Sequence, residues 1–134
     1  MHPTEFKKAW ERFLSSETYR NARWKVIPRV PHGSWVVRRA VGSRPALLAQ
    51  KLTHKWYLYD NHFEVDCDVG SSTVASALTG LLASYKKHIV IDLAFLIEGR
   101  EEDELPEHIL GTVRLYKINL DSLPSMEHHE GTDG

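Results

Sequence analysis

The sequence predicts an α+β fold, a mostly antiparallel sheet with an amphipathic helix before it and a helix of small residues packed on it. Three observations predict this. Residues 89–97 are almost continuously apolar, as in a strand buried on both faces. In residues 63–69, Phe63, Val65, Cys67 and Val69 alternate with Glu64, Asp66 and Asp68, as in a strand with one dry and one wet face. Between these runs, at about residues 71–85, lies an uncharged stretch with serines at its start and apolar residues at helical spacing.

The elements follow in order. Residues 4–14 place Phe6, Ala9, Trp10, Phe13 and Leu14 on one side of a helix. Residues 15–22 suit a short second helix. Residues 23–28 read as extended, closed by Pro28 and Pro31, with a turn at His32-Gly33. Residues 34–41 are rich in β-branched and aromatic side chains and predict a strand, ended by Gly42 and Pro45. Residues 48–59 carry Leu48, Leu52, Trp56 and Leu58 at even positions and predict a long strand. Asp60-Asn61-His62 turns it into the strand at 63–69. In the helix that follows, Val74, Leu78, Leu81 and Tyr85 share one side, and Ala75, Ser76, Thr79, Gly80 and Ala83 keep the rest thin, which predicts close packing. The strand at 89–97 is placed centrally. Residues 98–107 read as an acidic loop with one helical turn, and residues 112–120 as the last strand. A single domain over residues 1–122 is expected, with residues 123–134 as a disordered tail.

Composition narrows the function classes. The chain has 134 residues, 42% hydrophobic and 26% charged, enough for one core. Seventeen basic and eighteen acidic residues give a net charge of −1, so there is no global pull toward nucleic acid or anionic membrane, and only a local patch is left open. The basic residues favour the first half and acidic residues crowd 98–107, so a polarised molecule is expected. A single cysteine, Cys67, permits no internal disulfide or zinc framework and suits a reducing compartment. Met1-His2-Pro3-Thr4-Glu5 opens no apolar signal core, and no uncharged run is long enough to span a bilayer. A cytoplasmic location is expected, with peripheral membrane contact left open.

Four groupings could carry chemistry. Glu64, Asp66 and Asp68 could approach a divalent metal, but they miss EF-hand spacing, since Ala77 stands where the closing glutamate belongs. A solvated strand face is the plainer reading. Gly70, Ser71, Ser72 and Thr73 open a helix, where free N–H groups can hold an anion or lipid headgroup. The plainer reading is a capped turn. Arg38 and Arg39, with Arg44 and Lys51, could form a basic rim for anionic lipid, or simply guard a sheet edge. Asp92 lies within an apolar strand, where a buried carboxylate needs a partner or an altered pKa. Such a residue can be functional, and the plainer reading is pairing with a local Arg or Lys or a place at a sheet edge. Cys67 reads as a core residue, and no motif joins it to His54, His62 or His88. No cofactor is implied.

Several segments together resemble a known family. They are Tyr19-Arg20-Asn21-Ala22-Arg23-Trp24-Lys25-Val26-Ile27-Pro28, then Gly33-Ser34-Trp35-Val36-Val37-Arg38, then the run from Phe63 through Gly70-Ser71-Ser72-Thr73-Val74-Ala75, and finally Glu104-Leu105-Pro106-Glu107 with Leu110-Gly111-Thr112-Val113-Arg114. In this order they resemble the C-terminal domain of plant enhanced disease resistance 2 proteins. The resemblance implies a domain often carried behind pleckstrin-homology and START domains. It also implies links to negative regulation of defence and cell death, and to phosphoinositides and membranes. No catalytic activity comes with it. The family domain is longer, with strands ahead of the arginine–asparagine segment, so an open sheet edge is expected here. The first functional expectation is therefore a non-enzymatic lipid-binding or membrane-associated regulatory module, with Arg38, Arg39, Gly70, Ser71, Ser72 and Thr73 as ligand-binding residues. The second is a protein-interaction module that takes a partner chain or a second copy at the open edge. The third is a metal-dependent enzyme built on Glu64, Asp66 and Asp68.

Overall fold

A phenylalanine organises the first core. The computed structural model describes residues 4–85 and 88–119. Helix α1 (Thr4–Ser15) turns Ala9 and Phe13 inward, and Phe13 is fully buried. Its ring meets Trp24 at 5.8 Å, Trp56 at 5.5 Å and Phe63 at 5.6 Å between centroids. Such aromatic contacts add to what the burial itself contributes. Helix α2 (Glu17–Arg23) begins where the Ser16 hydroxyl accepts the Tyr19 N–H at 3.2 Å.

Strand β1 (Trp24–His32) then enters a four-stranded antiparallel sheet of order β2-β1-β5-β6. β2 is Ala46–Leu47, β5 is Val90–Ile97 and β6 is Ile109–Tyr116. The apolar β5 is central, with Trp24 opposite Ile97 on one side and Leu93 opposite Val113 on the other. A hairpin of β3 (Thr53–Leu58) and β4 (Phe63–Asp68) forms a second sheet and covers the first core. β6 begins three residues before the expected start of the last strand.

Two predicted strands are corrected. Residues 34–41 contain helix α3 (Trp35–Val41). Ser34 caps it by accepting the Val37 N–H at 3.4 Å, and Gly42, at φ 68°, ends it by donating its N–H to Arg38 O at 2.9 Å. The two caps and the burial of Val37 outweigh the modest strand preference of Val36, Val37 and Val41. Residues 48–59 begin as a single 3₁₀ turn at Leu48–Gln50, because the N–H groups of Lys51 and Leu52 both turn back to Leu48 O. Only then does β3 start.

Helix α4 (Thr73–Ser84) follows a 3₁₀ turn at Val69–Ser71, and Ser72 caps it. Leu82, with Tyr85 just beyond the helix, packs on a second core of Val37, Ile89 and Ile91, joined by Leu93 and Leu115 from the sheet. The close packing expected along the whole helix is only partial: its last turn joins this core, and Ala75 and Leu78 before it are half-buried. Val74, expected on the packed side, is 76% exposed, and none of the described residues of α4 is buried. The proposed tail, residues 123–134, lies outside the described residues.

Candidate functional site

Charge sorts the two ends of the sheet. At one end the acidic loop is neutralised. Glu104, only 3% exposed, accepts Arg12 at 2.8 Å, the Tyr19 hydroxyl at 2.9 Å and Arg23 at 2.5 Å. The N–H groups of Arg100 and Glu101 complete its shell. Burial favours the neutral acid, but the Arg100 N–H, Arg23, the Glu101 N–H and Tyr19 outweigh it and hold Glu104 far below the usual carboxylate range. Burial and the bond to Glu104 push the Tyr19 hydroxyl up to about 12. Lys25 pairs with Glu107 at 2.6 Å. The arginine–asparagine segment and the E-L-P-E segment are thus two halves of one buried latch.

At the other end the cations are in excess. Across the described residues of β1, α3, α4, β5 and β6, Asp92 is the only carboxylate. Arg114 grips it with two bonds, at 2.6 and 2.9 Å, and Arg29 Nε stands 3.7 Å away. The Arg114 bond outweighs partial desolvation and lowers the Asp92 pKa. Asp92 is therefore on the outward face of β5, not enclosed in the core. Arg29, Asp92 and Arg114 line a shallow groove of about 450 Å³ on this face. His32, Arg114, Tyr116 and Lys117 line a second one beside it. Antiparallel pairing of β1 with β5 and of β5 with β6 gathers these residues from distant parts of the chain.

Helix α3 stands at the same end, since Val37 packs against Val30, Ile89 and Ile91. It presents Arg38 and Arg39 to solvent one after the other, on a helix and not on the predicted strand. Trp35, at its start, is 72% exposed, and Tyr116 is 64% exposed. Aromatic side chains with polar tips beside cations match the chemistry of a membrane–water boundary. Sequence reading found Arg38 and Arg39 but missed Arg29, Arg114, Tyr116 and Lys117, because only the strand register shows them as neighbours.

The other candidates fall elsewhere. Gly70, Ser71, Ser72 and Thr73 sit at the start of α4, a helix length of about 18 Å from the end that meets α3. The Ser71 hydroxyl is engaged with Asp68 O at 2.6 Å and the Thr53 N–H at 2.9 Å, and Ser72 caps the helix. Glu64, Asp66 and Asp68 point outward along β4 at two-residue steps of nearly 7 Å, so they do not converge. Among the described residues no group of three His, Cys, Asp or Glu could hold a metal ion. Cys67 does share its side of β4 with Phe63 and Val65, but it is exposed, and its Sγ lies 3.1 Å from His54 Nε2. Burial and Asp66 push its thiol up, away from a reactive thiolate.

The family model described as "Protein ENHANCED DISEASE RESISTANCE 2, C-terminal" matches residues 1–119, which contain both the latch and the basic end. The chain belongs to this family. It is 40% identical over 114 residues to "Protein ENHANCED DISEASE RESISTANCE 2-like" of Arabidopsis thaliana. That alignment covers 84% of the chain and 16% of the relative, so the chain spans about a sixth of the length of this family member. No solved structure matches the chain. Among the described residues no helix is long and apolar enough to cross a membrane.

Proposed function

We propose that the chain is a non-enzymatic regulatory module that docks peripherally on anionic membrane through its basic end. One observation carries the reading: at this end of the sheet Arg38 and Arg39 face solvent on the helix that begins with exposed Trp35, Arg29 and Arg114 face solvent on the other side of the sheet with exposed Tyr116 and Lys117, and Asp92 is the only carboxylate among the described residues of β1, α3, β5 and β6. Each cation near an anionic bilayer contributes about 1 kcal/mol, and interfacial aromatics add to it. The latch supports the same reading, because Glu104 and Glu107 neutralise Arg12, Arg23 and Lys25 and leave the excess at one end. The name of the family supports a link to defence, and we extend that link to this chain as part of the proposal.

Co-sedimentation with vesicles tests it. Binding is expected to vesicles containing phosphatidylserine or a phosphoinositide at low salt, to fade with added salt, and to be absent with phosphatidylcholine alone. The double variant Arg38→Glu, Arg39→Glu should weaken it by at least about tenfold. Equal binding to neutral vesicles, or none to anionic vesicles at low salt, overturns the reading.

A further inference from the structure

A second open surface lies away from the basic end. Trp10, Trp24, Phe63, Val65, Phe95 and Leu110 line an apolar groove of about 460 Å³, with Gly111 and Cys67 at its walls. Phe63 and Val65 of β4 share this groove with Phe95 of β5 and with Leu110 and Gly111 of β6, so the free side of the hairpin strand β4 and that of β6 border it. Among the described residues β4 pairs with β3 alone and β6 with β5 alone. The groove is therefore an apolar floor between two strands that each have a free edge. Every second N–H and C=O along such an edge lacks a strand partner.

We infer that this groove takes an extended polypeptide segment from outside residues 1–119, whose apolar side chains alternate with basic ones, as an added strand on β4. The backbone decides between kinds of occupant. An acyl chain would cover the apolar floor but leave both edges without partners, whereas a strand satisfies β4 and covers the floor together. Charge decides the character of the strand. Glu64, Asp66 and Asp68 line the outward face of β4, and no ion pair engages them among the described residues. Across the hairpin, Lys55 faces Asp66, while Tyr57 and Thr53 face Glu64 and Asp68. A neighbouring strand with inward apolar residues places its alternate side chains beside this acidic row, where basic residues are favoured. The row thus acts as a recognition rail, and the groove supplies the area.

The probe is a short synthetic peptide of alternating valine and lysine, with a valine–glutamate peptide as its counterpart. The lysine peptide should bind at low salt, shift the emission of the tryptophans at the groove, and slow amide exchange along β4. Gly111→Val tests the groove directly. A Cβ at Gly111 meets nothing within 4 Å, so the fold tolerates it while the groove fills, and binding should weaken at least about tenfold. The triple variant Glu64→Lys, Asp66→Lys, Asp68→Lys should reverse the preference toward the glutamate peptide. Circular dichroism confirms that each variant is folded. Failure of the lysine peptide to bind, equal binding of both peptides, binding of palmitate at the same groove in place of the peptide, or self-association that buries the groove would each overturn the inference. Vesicle binding by the basic end should survive Gly111→Val, so the two readings fail separately.

Discussion

The two ends of the four-stranded sheet carry similar residues and use them in opposite ways. At the latch, Arg12, Arg23 and Lys25 are spent on Glu104 and Glu107. At the basic end, Arg38 and Arg39 have no carboxylate in their own helix, Lys117 follows a strand that has none, and Arg29 and Arg114 share Asp92. Arginine at the first end holds the fold together. At the second it is available to something outside it. Burial makes the difference. A charge withdrawn from water must be paired or it destabilises strongly, whereas an exposed one is screened and contributes little to stability.

Breaking the latch should produce the largest effect. Glu104→Ala leaves the largely buried Arg23 with Glu98 O and the Tyr19 ring but without its carboxylate, and the Arg100 and Glu101 N–H groups lose an acceptor. Removing one member of a buried pair costs about 3–5 kcal/mol. Urea unfolding should show that loss, while Arg38→Glu leaves the midpoint nearly unchanged. Equal effects at the two positions would erase the contrast.

Acid sharpens the same comparison. Glu104 is held below its ordinary value of 4.5, so its contribution is complete above about that pH and is lost as the pH falls toward its folded value. Stability should therefore decline on acidification below pH 4.5. In Glu104→Gln that part of the decline should be missing, from a lower starting point. An acid limb equally steep in both proteins would place the titration elsewhere.

Legibility in the sequence also divides between the regions. The strands at 63–68 and 90–97 were readable from their patterns, strict alternation in β4 and an apolar run in β5, although β5 is buried only at its ends and Asp92 to Phe95 in its middle are half-buried. Helix α3 was not, because its Trp-Val-Val start has strand preference and the decision rests with Ser34 and Gly42 outside it. Cys67 was assigned to the right side of β4, yet it is exposed because the groove it faces stays open. The basic end was half legible. Arg38-Arg39 is visible as a pair, whereas Arg29 meets Arg114 only through Asp92, across two strand registers that no local pattern encodes.

The smallest effect separates the two halves of one helix. Leu82, in the last turn of α4, packs on Val37 and Ile91, and Leu82→Ala should cost roughly 1 kcal/mol for a half-buried leucine. Val74, in the first turn, is almost free of contact. Val74→Asp removes little burial and places a carboxylate near the positive end of the helix dipole, so stability should change by only a few tenths of a kcal/mol, in either direction. Thermal melts of the two variants side by side make the measurement. If Val74→Asp proves as damaging as Leu82→Ala, the first turn of α4 is held against something and is not an exposed face. A neutral result leaves the uncharged N-terminal part of α4 as surface that costs the fold nothing to present, which sets it with the basic end and apart from the latch.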